Sequence, residues 1–167
     1  MKKKPLLRKT AAAPKKVKPI PDGYHAITPY LSIRDATKAI AFYTKAFGAK
    51  LKLRMDAPGG KVGHAEVKIG DSIVMLADEA PEMDARSPKH YGGSPISLLL
   101  YVEDVDKVFD QAVAAGGTAT RPVADMFYGD RSGTVKDPFG HSWHVSTHKE
   151  DVPPDEMKKR MEAMHKG

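Results

Sequence analysis

The sequence predicts an α+β fold of two βαβββ modules, and three observations carry that prediction. Short runs alternate apolar and polar residues as half-buried strands do, and two helix-period stretches open on Asp and close on Gly. The pattern then recurs at an offset of 69 residues.

In the first module, residues 26–33 alternate, with Ile27, Leu31 and Ile33 on one face and Thr28, Tyr30 and Ser32 on the other. Asp35 predicts an N-cap, Ala36, Ala39, Ile40, Tyr43 and Phe47 form an apolar stripe, and Gly48 supplies the stop. Residues 50–55, 63–69 and 72–77 read as three strands, the last two joined by a Gly70-Asp71 turn.

The second module repeats the order. Residues 96–102 are strand-like, Asp104 caps a helix carrying Val105, Val108, Phe109 and Ala112, and Gly116-Gly117 ends it. The offset aligns Asp35 with Asp104, Lys38 with Lys107, Ile40 with Phe109 and Gly48 with Gly117. Strands at 133–136 and 141–146 flank the turn Asp137-Pro138-Phe139-Gly140, where Pro presets φ and Gly accepts a positive one. Alternation sends Ser142, His144, Ser146 and His148 to one face and Trp143, Val145 and Thr147 to the other.

This gives modules at 24–78 and 94–148 within a domain spanning 23–150, joined by a Pro- and Gly-bearing linker at 79–93. Residues 151–167 place Met157, Met161 and Met164 on one side of a short amphipathic helix. That helix packs on its own domain or a second copy, or serves as a partner-binding motif.

The formal net charge of +6 suggests nucleic-acid binding until it is located. Residues 1–19 hold 8 of the 27 basic residues and no acid, so the remainder carries 19 basic against 21 acidic residues, a net of −2. The folded part is not basic, and nucleic-acid contact is confined to a disordered basic tail at 1–22. Deleting residues 1–19 is expected to leave the melting temperature within about 2 °C, because a segment without buried contacts adds little stability. A larger drop in a thermal melt would show that the tail docks.

Without cysteine, disulfides, thiolate metal sites and Cys nucleophiles are ruled out. No apolar run reaches the roughly 18 residues of a membrane span, and no apolar stretch follows the N-terminal lysines as a signal peptide requires. Cytoplasm is the expected location. No G-x-S-x-G elbow, phosphate-binding glycine loop or H-E-x-x-H helix is present.

The working surface is expected within residues 126–148. Phe127 and Tyr128 can wall a small molecule with Arg131 nearby, or Asp130 and Arg131 can form a local ion pair instead. His64 and Glu66 share a strand face, either reaching a ligand or sitting hydrated at an edge. His141 follows the turn glycine and is assigned to the turn, whereas His25, His90 and His165 carry no spacing signal.

The segments MFYGDR, DPFGHSW and a terminal TH, with the start TPYLSIRDATKAIAFYTKAFGAK, resemble the PhnB-like branch of the glyoxalase/bleomycin-resistance family, within the vicinal oxygen chelate superfamily. The resemblance covers about residues 24–148. It implies the glyoxalase/bleomycin resistance/dihydroxybiphenyl dioxygenase fold, with a cleft between paired modules and a homodimer in which two chains complete each cleft.

It also implies four metal-ligand positions, one on the first and one on the last strand of each module: Thr28, Met75, Ser97 and His144. Only His144 suits a divalent cation of the zinc, nickel or manganese kind. The reading is therefore a small-molecule-binding protein with no cofactor. Thr28, Tyr30, Met75, Ser97, Tyr128 and Arg131 line its cleft, and His144 is the general base if chemistry occurs. The alternative is a metal-dependent lyase or isomerase whose ligands are His64, Glu66 and His144.

Overall fold

The computed structural model describes residues 17–164, so most of the basic tail and His165 lie outside the described residues. The first module runs β1 (Tyr30–Ile33), α1 (Ala36–Phe47), β2 (Lys50–Ala57), β3 (Lys61–Ile69) and β4 (Ser72–Asp78). The second runs β5 (Ser97–Tyr101), α2 (Val105–Ala114), β6 (Thr118–Asp125), β7 (Asp130–Lys136) and β8 (Ser142–His148), and α3 (Pro154–Met164) follows. Each module forms its own four-stranded sheet, ordered β1-β4-β3-β2 and β5-β8-β7-β6.

The internal repeat extends to individual hydrogen bonds. Asp35 and Asp104 each accept from the backbone N–H three residues on, at 3.0 Å. The Ala36 N–H donates to Asp78 and the Val105 N–H to Thr147, again 69 residues apart at donor and acceptor. A helix start is thereby tied to the last strand of its own sheet in both halves.

Two strands depart from the sequence reading. Expected from residue 26, β1 begins at Tyr30, because Pro29 offers no N–H to a ladder and its carbonyl accepts from Met75 instead (2.9 Å). Ile27 is consequently exposed rather than paired with Leu31 and Ile33 in the core. Residues 118–125, which carry no alternation, form the edge strand β6, where two register shifts and Pro122 disturb the pleat.

Helices α1 and α2 and one face of each sheet form a single core. Tyr43 and Phe47 of α1 pack on Trp143 of β8, with ring centroids 5.3 and 4.8 Å apart, so α1 bridges the modules. Gly133 lets α2 press on β7, since a Cβ there would meet the Phe109 ring at 2.8 Å.

Asp137 pins this junction. Its buried carboxylate accepts from Tyr43 Oη (2.8 Å), Trp143 Nε1 (3.1 Å) and the N–H groups of Phe139 and His141 (2.9 Å each). Burial alone would raise its pKa; the neighbouring His141 imidazole, then the Tyr43 and Trp143 donors, outweigh burial and hold it below the usual carboxylate range.

The segment between the modules is ordered by Glu79. Its carboxyl takes the Ser87 N–H at 2.7 Å and Arg34 at 3.2 Å, which bring its pKa down to about 2. No residue of α3 is fully buried; Met157 is half-buried and Met161 and Met164 are exposed.

Candidate functional site

The two sheet faces turned away from the helices carry the candidate chemistry. Alternation places Ala65, Val67, Val74, Leu76, Trp143 and Val145 in the core, which leaves His64, Glu66, Met75 and His144 on the opposite faces. Strand register then aligns Tyr30, Met75, Glu66 and Leu53 in one row, and Leu99, His144, Thr134 and Arg121 in the other.

On the first face, a chain of hydrogen bonds links four side chains. Tyr24 donates to Glu66, the other Glu66 oxygen meets His64 Nε2 at 3.2 Å, and His64 Nδ1 meets Tyr30 Oη at 3.0 Å. The Tyr24 bond, helped by His64, keeps Glu66 below its ordinary pKa despite partial burial, so it is a carboxylate at neutral pH. His64 and Glu66 are therefore not simply hydrated at an edge.

On the second face, His144 Nδ1 meets Thr134 Oγ1 at 2.9 Å and its Nε2 meets Ser97 Oγ at 3.1 Å. Burial, then the Arg121 charge, lowers its pKa and favours the neutral imidazole. Further along, Tyr101 Oη donates to Asp130 at 2.8 Å, and His148 bridges Asp130 (2.8 Å) and Asp151 (2.9 Å). Those carboxylates, Asp130 first, raise the His148 pKa. One face thus holds a histidine biased toward neutrality and another biased toward charge.

Three expected positions fall elsewhere. Thr28 precedes β1 and donates to the His25 carbonyl at 3.1 Å, so it is not on the row that Met75 occupies. Arg131 lies on the helix side of β7, bound to Asp106 by two 2.7 Å contacts and to Asp125 at 3.2 Å. It is removed from the cleft-lining set, and its partners are not Asp130. Tyr128 sits half-buried in the β6–β7 turn, its ring edge-on to Phe127.

Neither face is covered by the described residues. Tyr30, Leu99 and Tyr101 are 53%, 55% and 56% exposed, and Leu53 and Met55, paired with Glu66 and His64, line the outer strand of the first face as exposed apolar groups. That much apolar surface beside satisfied polar groups is the composition of a recognition surface.

Sequence comparison matches residues 24–145 to the model of the Glyoxalase/Bleomycin resistance protein/Dioxygenase superfamily. The chain belongs to that superfamily. It is 39% identical over 145 residues to the uncharacterized protein Mb0911c of Mycobacterium bovis, covering 85% of this chain and 95% of that one. Protein YjdN of Escherichia coli is 27% identical over 146 residues, covering 74% of this chain and 96% of its own. The crystal structure of TioX from Micromonospora sp. ML1 superposes with a TM-score of 0.59 at 29% identity, covering 73% of this chain and 97% of that one.

For a superfamily member, the donors at the four implied metal positions decide what the site can hold. Thr28 is committed to a backbone carbonyl, Met75 offers a thioether, and Ser97 and His144 bond each other. This set does not fit a divalent first-row cation. The recruited alternative is not assembled either: His64 and Glu66 belong to one sheet and His144 to the other, each with protein partners. Among the described residues no three His, Cys, Asp or Glu side chains are grouped to hold a metal. No helix among those residues is long and apolar enough to cross a membrane.

Proposed function

We propose that this chain is a PhnB-like, metal-free small-molecule-binding protein of the superfamily, acting as a cytoplasmic homodimer. The observation that carries the reading is the pair of sheet faces that the described residues leave uncovered, each rich in exposed apolar side chains around a hydrogen-bonded histidine. A second chain laying its second-module face over the first-module face encloses a cleft between Tyr30, Met75 and Glu66 on one wall and Leu99, His144 and Ser97 on the other. The ligand is an organic molecule with an apolar body and hydrogen-bonding groups, since both walls offer imidazole and hydroxyl partners without a strong net charge.

Metal-free bleomycin is the probe for this reading, titrated by calorimetry into the wild type and two variants. Saturable binding weakened about tenfold by Tyr30→Ala and by His144→Leu is the expected result. Heats that do not saturate, or an affinity both variants leave unchanged, would contradict a bleomycin-type cleft. A second reading, a glyoxalase-type lyase or isomerase, is favoured by the Tyr30–His64–Glu66 chain, in which a carboxylate orients an imidazole toward a phenol that can pass a proton.

A further inference from the structure

A cavity of about 480 Å³ lies where β1 and β5, the edge strands of the two sheets, pass each other beneath residues 86–96. Its walls are mostly apolar: Ile27, Leu31, Pro88, Ile96 and Leu98. Ile27 and Ile96 are equivalent under the 69-residue repeat, and both are strongly exposed, at 88% and 71%. Two groups on this wall are out of keeping with it.

Arg86 is the cavity's cation. Two-thirds of its side chain is buried, yet its ion-pair partner is Asp84, 3.8 Å away and almost fully exposed, and among the described residues its guanidinium makes no hydrogen bond. His141 is the other. Its side chain is nine-tenths buried, and Nδ1 lies 3.5 Å from Asp137 without a hydrogen bond, because the Asp137 oxygens already serve Tyr43, Trp143 and two backbone N–H groups. Buried donors are ordinarily satisfied, and a planar guanidinium with its fork unused is matched by a carboxylate.

We propose that this cavity is a separate binding site for a small monocarboxylic acid with an aromatic or branched apolar body. The carboxylate takes the Arg86 fork, with the His141 imidazole beside it, and the body fills the space between Ile27, Leu31, Ile96 and Leu98. A single guanidinium among apolar walls matches one negative charge; a dianionic phosphate would stay under-neutralised in an apolar surround. Tyr30 lines the cavity and also bonds His64, so the site meets the first sheet face at this one member of its polar chain.

The test is calorimetric titration of the full chain with 2-naphthoate and with its uncharged counterpart 2-naphthamide. One saturable naphthoate site per chain is expected, with affinity reduced about tenfold or more by Arg86→Ala and equally by the amide. Arg54→Ala, which removes an unrelated charge paired with Asp56, leaves it unchanged. The proposal is overturned if naphthoate does not saturate, if the amide binds as well, or if Arg86→Ala and Arg54→Ala act alike. It is also overturned if Ile96→Asp turns a dimer into monomers while the wild type binds no naphthoate, since the patch is then an interface between copies. Thermal melts of Arg86→Ala beside the wild type confirm that the variant is folded.

Discussion

Val74→Asp is expected to cost about 4 kcal/mol or more, while Met75→Asp one residue away costs about 1–2 kcal/mol. Val74 belongs to the buried cluster under α1, where a carboxylate would find neither water nor a partner. Met75 is half-buried on the opposite face, between Tyr30 and Glu66, so a carboxylate there keeps solvent and suffers chiefly from Glu66 across the strand pair. His144→Leu, on the equivalent strand of the second module, should leave stability nearly unchanged. Chemical denaturation of the three variants side by side makes the comparison. Equal damage from Val74→Asp and Met75→Asp would mean that the Met75 face is dry core, and the cleft would lose a wall.

Asp137→Ala should be as damaging as Val74→Asp, about 3–5 kcal/mol, for a different reason. It strips the acceptor from Tyr43, Trp143 and two backbone N–H groups at once, in the layer where α1 of one module meets the β7–β8 turn of the other. Asp137→Asn retains an acceptor but loses the charge, and should fall between. The same carboxylate sets an acid limit. Its folded pKa lies below its unfolded value, so its contribution is full above the unfolded carboxylate range and is lost as pH falls through the lower folded value. Wild-type stability should therefore decline more steeply below about pH 4 than that of Asp137→Asn. Parallel urea midpoints for the two proteins across that range would show the reverse.

Much of this fold was legible because its signals are local. Caps at Asp35 and Asp104, the Gly48 stop and strict alternation through β8 each depend on neighbours a few residues apart, and the structure places all of them as expected. The start of β1 was not legible, since alternation ran on through Ile27 while Pro29 withheld the ladder. Nor was β6, an edge strand exposed on both faces with no pattern to read.

The site divides the same way. His144, Met75 and Ser97 could be placed from strand position and the internal repeat, and Tyr30 from alternation. The Tyr24–Glu66 and Tyr101–Asp130 bonds span 42 and 29 residues and depend on loop course and strand register, which no spacing records. Arg131 was misplaced although a signal existed: alternation along β7 puts Asp130, Ser132 and Thr134 on one face and Arg131 with Val135 on the other.

The most direct check on the account is the metal content of the protein purified without chelator and then dialysed against zinc, nickel or manganese. Thr28 is turned into a loop, Met75 is a soft donor, and Ser97 and His144 already satisfy each other, so elemental analysis should find no stoichiometric metal in the wild type. One equivalent per chain, lost in His144→Ala, would contradict the metal-free binding protein and move the assignment to a metal-dependent lyase or isomerase.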